Sequence, residues 1–421
     1  MMPGENCAPL RICLLSYRSN PHCGGQGVYV QNLSRALKDL GHLVEVVSGP
    51  PEPMLAKDIP LYRLQSLDLY NPDNLFRMPT LRELADPINL LEWLGVSSMG
   101  FPEPFTFGLR AIKYLKDKLH RYDIVHDNQS LSYGLRAIGQ YIPTIATIHH
   151  PITVDRDLAV KAAPSVWKKI QQMRWYSFIG MQKKVARTFS HIITVSKSAG
   201  KDISKDFMIP FSRFRIIPNG ICTDLFHPIP EIKRETNRII VTNSADTPLK
   251  GLNYLLHAVA GISQSRRIKL IVVGSPQKNG GVEKLINRLG IKECITFTGR
   301  IDSDEFVRQY ARATLAVVPS VYEGFGLPAG EAMACGLPVV STTGGALPEV
   351  VGDAGCLVPP ADSAALARAI TTILDNPDRA KRMGRAGYER VHRHFTWKRA
   401  AQLTVAAYQE TIRDYRRFQQ A

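Results

Sequence analysis

Short aliphatic runs alternate with helix-spaced segments twice along this sequence, which narrows the possible folds to parallel α/β sheets. Leu10 to Ser16 opens as a strand, a glycine-bearing loop follows, and Val30, Leu33, Leu37 and Leu40 then recur at helical spacing until Gly41 stops them. Val44 to Val47 reads as the second strand, and further β-rich runs end at Val125, Ile148, Val195 and Ile217. The stretch His227 to Asn237 is polar, carries two prolines and reads as a linker. Strands then restart at Ile239 to Thr242, Leu270 to Gly274, Ile295 to Gly299, Leu315 to Pro319, Val339 to Thr342 and Cys356 to Val358. Helical stretches such as Leu252 to Ile262 and Ala364 to Leu374 lie between them. Two doubly wound domains are expected, and 421 residues suffice for two cores.

One segment breaks the rhythm. Pro50 to Pro104 holds nine of the 28 prolines together with Trp93 and Phe101, and its aromatic content continues into Phe105 and Phe107. It reads as a long, packed excursion over the mouth of the first sheet.

A hydrophobic share of 44% and a charged share of 21% place the chain among folded globular proteins. The formal charge of +16 is not spread evenly. Val160 to Arg215 has a net charge of +10 and Asn376 to Ala421 of +7, so the remainder is close to neutral. Two basic patches of this kind argue against a uniformly basic nucleic-acid binder and favour an anionic membrane or a phosphorylated ligand. The seven cysteines are scattered without a CxxC pair, so neither a disulfide framework nor a structural zinc site is indicated. No secretory leader or apolar run of about 20 residues appears, and a cytoplasmic setting is expected.

Gly24-Gly25-Gln26-Gly27 follows a strand and opens a helix, so it can offer backbone N–H groups to a phosphate. The dinucleotide fingerprint would require GxGxxG and an acid after the second strand, where this chain has Ser48-Gly49-Pro50. That speaks against a nicotinamide enzyme. A more specific motif is Pro319 to Glu331, PSVYEGFGLPAGE, at a strand end and helix start. Its glycines let backbone N–H groups approach a ligand, and Glu323 and Glu331 can accept hydrogen bonds from sugar hydroxyls.

The E-x7-E pair within EGFGLPAGEAMACGLPVV, followed by GGALPEVV, resembles the nucleotide-sugar site of the retaining GT-B glycosyltransferases of family 4. The resemblance extends over nearly the whole chain through the Gly24-Gly25 loop, Thr147-Ile148-His149, Val195-Ser196, Pro218-Asn219-Gly220, Leu249-Lys250-Gly251, Val273-Gly274 and Phe297-Thr298-Gly299. It implies a GT-B fold, with two Rossmann-like domains facing across a cleft. Residues 1–228 would bind the acceptor and 229–395 the donor, with a last helix within 396–421 returning to the first domain.

The resemblance also implies roles. Lys250 would neutralise the donor diphosphate, Gly274 would line the same pocket and Arg300 would lie near the base. Glu331 would bind the ribose and Glu323 the donor sugar. Backbone groups of Gly324, Phe325, Gly326 and Leu327 would hold sugar and phosphate, Gly24 and Gly25 would join the donor site, and His149 would stand on the acceptor side. Glu323 and His149 are the catalytic candidates, acting by positioning and electrostatic stabilisation. The co-substrate would be a nucleotide-diphosphate sugar, with no cofactor and no metal. Asp155-Arg156-Asp157 and Asp302-Ser303-Asp304 both spell DxD, but the first has no ligand spacing around it and the second reads as a helix cap. The chain departs from the family pattern at Ser244, where an arginine is usual, and at Cys222, where an aspartate is usual.

Within the first basic segment Val166, Ile170, Met173, Phe178, Met181, Val185 and Phe189 recur every three to five residues among Lys168, Lys169, Arg174, Lys183, Lys184 and Arg187. With Trp167 and Trp175, the pattern suits an interfacial anchor on an anionic membrane or a helix whose apolar side is core. The expected activity is retaining hexosyl transfer, to a lipid-linked acceptor at the membrane face or to a soluble metabolite or sugar phosphate. A non-catalytic GT-B-like binding protein is the alternative from another class.

Overall fold

The structure, a computed structural model, describes residues 8–19, 25–71, 74, 77–242 and 247–420. Two compact units divide the chain. The first takes in the chain up to Val195, Gly200–Ile217 and the chain from Ala400, and the second takes in Ser196–Ala199 and Pro218–Arg399.

The first unit is a seven-stranded sheet in the order β3-β2-β1-β4-β5-β6-β7, parallel throughout. Its strands are β1 (Arg11–Ser16), β2 (Leu43–Ser48), β3 (Leu61–Arg63), β4 (Ile124–Asn128), β5 (Thr144–Ile148), β6 (Ile192–Thr194) and β7 (Phe214–Ile216). β4 and β5 are buried along their whole length, as expected for central strands covered by helices on both faces. The excursion between Pro50 and Pro104 is not irregular: it contributes the edge strand β3 and the helices Leu81–Leu84 and Pro87–Ser97, with Glu103–Leu115 following. Pro87 and Pro104 fall in the first turns of helices, where a missing N–H does no harm.

The second unit is a six-stranded parallel sheet ordered β10-β9-β8-β11-β12-β13. Its strands are β8 (Arg238–Thr242), β9 (Lys269–Val273), β10 (Ile295–Phe297), β11 (Leu315–Val318), β12 (Val339–Thr342) and β13 (Cys356–Val358). Leu255, Leu256 and Val259 of the helix Leu252–Ser263 and Leu366 and Ile370 of Ser363–Leu374 join the strands in one core. Both sheets have the doubly wound order, in which the chain reverses direction across the sheet between β1 and β4, and between β8 and β11.

The division falls at Ile217–Pro218, upstream of the polar stretch at 227–237, because residues after Pro218 are held by the second unit. Ile221 N donates to Phe395 O at 2.8 Å, and a Cβ on Gly220 would collide with Trp397. The helix Trp397–Gln420 passes from one unit to the other at Ala400. Within the first unit it is fastened by Arg215 with Glu410 at 2.5 Å, His191 with Asp414 at 2.8 Å, and buried Tyr408 against His126.

The basic segment at 166–189 is not one amphipathic helix. Val166–Trp175 and Ile179–Ala186 are separate helices joined by a turn of 3-10 helix at Tyr176–Phe178. Ile179, Met181, Val185 and Phe189 are core, whereas Val166, Trp167, Ile170 and Met173 are 50–74% exposed.

Candidate active site

In the second unit the sheet reversal brings together the segments that follow β8 and β11. After β8 a short 3-10 turn, Pro248–Lys250, leads into Gly251 and the helix Leu252–Ser263. Gly251 has φ +68°, and a Cβ there would lie 2.0 Å from Pro319 O, so only glycine lets this turn press against the β11 loop. Val321 N donates to Leu249 O at 2.8 Å across the same junction. Lys250 is thereby delivered to Glu323: its Nζ donates to Glu323 Oε1 at 2.8 Å. Ser320 Oγ donates to that same oxygen at 2.8 Å, and Ala346 N to Glu323 O at 2.8 Å. Glu323 is 9% exposed; its carboxylate is held through Oε1 by Lys250 and Ser320, and its backbone carbonyl by Ala346.

Gly326, at φ +104°, caps the helix Leu327–Ala334, in which Pro328 occupies the first turn and Glu331 the second. Burial pushes the Glu331 carboxyl up to about 7, with Tyr310 and the Lys250 charge pulling the other way. The Phe325 ring packs into the core, edge-on to Phe395 at 5.7 Å, which leaves its backbone for a ligand. Gly274, at φ +135°, follows β9 and its carbonyl accepts from Gly299 N at 3.1 Å. That pairing sets exposed Arg300 beside the β9 end. Lys250, Gly274, Arg300, Glu323 and Gly324 to Leu327 thus all follow the carboxyl ends of four neighbouring strands, the edge where doubly wound sheets bind ligands.

In the first unit His149 follows β5. Its N–H donates to Gln129 Oε1 at 2.8 Å, its Nε2 lies 2.7 Å from Asn128 Oδ1, and Tyr29 meets its ring edge-on at 4.7 Å. With the amide oxygen accepting, Nε2 carries the proton and Nδ1 keeps a lone pair. Burial, then the neighbouring His150 and His126, lower its basicity, so it is neutral at ordinary pH. Gly25 opens the helix Gly25–Asp39, and Asn128 Nδ2 reaches Gln26 O at 3.4 Å, so the start of this helix and the His149 support share one sheet edge. Gly24 lies outside the described residues, as does Ser244. Cys222 starts a turn whose carbonyl accepts from Leu225 N and Phe226 N.

Asp302 caps the helix Ser303–Arg312 through Glu305 N at 2.8 Å, and Asp155 is engaged by His150 at 2.7 Å. Among the described residues no group of three His, Cys, Asp or Glu side chains is arranged to hold a metal. Sequence reasoning missed Ser320, Asn128 and Gln129. The signal for the last two was present, since His126-Asp127-Asn128-Gln129 is a polar run ending a buried strand. Ser320 follows β11 two residues on and had no pattern of its own.

Two family models match successive parts of the chain. Residues 226–390 match the family Glycosyl transferases group 1, and residues 23–225 match Glycosyltransferase Family 4. The chain is 46% identical to the MMP alpha-(1->4)-mannosyltransferase of Mycolicibacterium hassiacum, over 96% of this chain and 98% of that one. It is 28% identical to the D-inositol 3-phosphate glycosyltransferase 2 of Catenulispora acidiphila, over 97% and 96%. Its structure matches the sucrose-phosphate synthase of Thermosynechococcus elongatus with a TM-score of 0.74 at 26% identity, over 96% of this chain and 100% of that one. With two Rossmann-like units, a GT-B fold and relatives of this likeness along its whole length, the chain belongs to glycosyltransferase family 4 and is a glycosyltransferase.

Proposed function

We propose that the protein transfers a mannosyl residue from a nucleotide-diphosphate mannose to a carbohydrate hydroxyl with retention of configuration. The observation that carries the donor half is the Lys250–Glu323 pair at the sheet reversal, with Glu331 on the helix beyond it. Lys250 meets the diphosphate and offsets the charge that grows on it as the bond from phosphate oxygen to C1 breaks. Glu323, released from Lys250 by that exchange, accepts from the sugar hydroxyls, while Glu331 accepts from the ribose hydroxyls. The acceptor oxygen bonds to C1 on the face the phosphate leaves, and its proton passes to the departing phosphate oxygen. The first unit is read as the acceptor side, with neutral His149 a polar contact for the incoming sugar. Mannose and a carbohydrate acceptor are taken from the name of the 46%-identical relative.

A screen of UDP-, GDP- and ADP-linked mannose and glucose for nucleotide release tests this reading. One mannose donor should be turned over, and Lys250→Ala and Glu323→Gln should each lower turnover by about 100-fold or more. Equal release by wild type and both variants would overturn it, and no release above background from any donor would favour a binding protein.

A second reading concerns where the enzyme works. Val166, Trp167, Ile170 and Met173 are exposed beside Lys168, Lys169 and Arg174, as a peripheral contact with anionic lipid requires. No helix among the described residues is long and apolar enough to cross a membrane. Co-sedimentation with anionic vesicles at low salt, lost at high salt and in Trp167→Ser, supports this contact and a lipid-linked acceptor. No binding at low salt refutes it.

A further inference from the structure

The first unit contains a cavity of about 220 Å³ that the chemistry above does not use. Its walls include the rings of Phe101, Phe105, Tyr133 and Phe178, and Arg174 and Ser177 supply polar groups. The wall is rigid. Phe101 stacks on Trp175 at 5.1 Å and 27° and meets Phe178 edge-on at 5.4 Å, while Tyr70 donates its hydroxyl to Gly100 O at 2.8 Å behind it. Arg174 is held by Ser98 Oγ at 2.7 Å and Ser177 Oγ at 2.9 Å, which leaves further guanidinium N–H groups for a ligand.

The cavity lies one loop away from His149. Residues 129–132 connect β4 to the helix Tyr133–Ile138, and Gln129 and Leu131 both have positive φ there, of 58° and 48°. Asp127 fixes this loop by accepting from Ser130 Oγ at 2.5 Å and from Leu131 N at 2.8 Å. Gln129 then works in two directions: its side chain accepts from His149 N, and its carbonyl accepts from Gln182 Nε2 at 3.1 Å. Gln182 adjoins Met181, which lines the cavity, and Tyr133 starts the helix that walls it.

We infer that this cavity is an acceptor subsite that holds one sugar ring of an oligosaccharide, remote from the hydroxyl that reacts. A pyranose has an apolar C–H face and a polar rim, which matches aromatic walls beside a guanidinium and a hydroxyl. The volume is below the roughly 300–1,000 Å³ of sites that take a whole ligand, so it suits a single ring. The subsite rests on the reading of the first unit as the acceptor side, and it makes the enzyme prefer longer acceptors.

Methyl α-mannoside and α-(1→4)-linked mannobiose and mannotriose are the probes, tested on the full chain and on Ser177→Trp and Tyr133→Ala. Ser177 and Tyr133 are exposed, so both variants should fold. In wild type kcat/KM should rise at least tenfold from the monosaccharide to the trisaccharide. Ser177→Trp, which fills the cavity, should erase that rise through KM while donor hydrolysis and the methyl mannoside rate stay unchanged. Length dependence that survives in both variants would overturn the inference. Saturation-transfer NMR with mannotriose separates this failure from failure of the functional reading. Signals lost in Ser177→Trp support the subsite even if no mannoside is turned over, and absence of signals from wild type overturns it.

Discussion

Lys250 Nζ and Glu323 Oε1 lie 2.8 Å apart, an ion pair between the turn that follows β8 and the loop that follows β11. The cation proposed for the diphosphate is thus already aimed by the carboxylate proposed for the sugar, and on donor binding Lys250 would exchange one anionic partner for another. Lys250→Ala should lower transfer by about 100-fold or more, the loss typical of removing one charge-stabilising donor. Glu323→Gln should do the same, and both should keep the nucleotide-free fold. Ser320→Ala, which removes one of two hydrogen bonds to Oε1, should cost about threefold to tenfold. Initial rates together with thermal unfolding of each variant check these values.

Glu331 gives the donor site a pH dependence. Its carboxyl is raised to about 7, first by burial. In the proposed role the ionised form would accept from the ribose hydroxyls, so nucleotide affinity should fall by about tenfold from pH 8 to pH 6, with proton release on binding at pH 6. The effect on the free protein has the opposite sign. A carboxyl with a folded value above its unfolded one favours the fold at low pH, and that contribution is lost as pH rises from its ordinary value of 4.5 through about 7. Calorimetry at the two pH values, with Glu331→Gln as the variant that flattens the dependence, measures it.

Gly251→Ala tests how Lys250 is delivered. The added Cβ would meet Pro319 O at 2.0 Å and force a side chain into positive φ. Nucleotide affinity and stability should both fall, whereas Lys250→Ala should lower affinity alone. Binding and denaturant unfolding of the two variants distinguish delivery from charge.

Much of this was legible in sequence because burial and periodicity are local. All six strands of the second unit were read within two residues of their ends, since Ile239 to Val241 and Leu315 to Val318 are continuous apolar runs between turn signals. β3 was not, because Leu61–Arg63 is a half-exposed edge strand of three residues with no alternation to read. The apolar positions at 166–189 showed a helical period but not which part would meet a neighbour. Met181 and Val185 are core while Trp167 and Ile170 are exposed, and only tertiary packing decides that. The Glu323 and Glu331 spacing marked the candidate site in sequence, whereas Asn128 and Gln129 come beside His149 only because β4 lies beside β5.

His126 ties the last helix to the sheet of the first unit through a buried side-chain network. Its Nδ1 lies 2.6 Å from Tyr408 Oη, its Nε2 lies 2.7 Å from Thr147 Oγ1, and Tyr29 Oη reaches that same Thr147 oxygen at 2.9 Å. Tyr408→Phe leaves a buried ring nitrogen unpaired and should cost about 1–3 kcal/mol in denaturant unfolding. Burial holds His126 down to about 3, so the neutral form belongs to the fold. Its contribution is complete above the ordinary value of 6.5 and is lost as pH falls from there towards 3, at up to about 1.4 kcal/mol per pH unit. Unfolding curves between pH 7 and pH 5 should show that loss.

The anomeric configuration of the product is the most direct measure of the proposed reaction. With the nucleotide-diphosphate α-mannose that the donor screen selects and mannotriose as acceptor, the one-bond C1–H1 coupling of the new linkage should report an α-mannoside, and Lys250→Ala should form it at least about 100-fold more slowly. A β-linked product, or α-mannoside formed equally by Lys250→Ala, would contradict it.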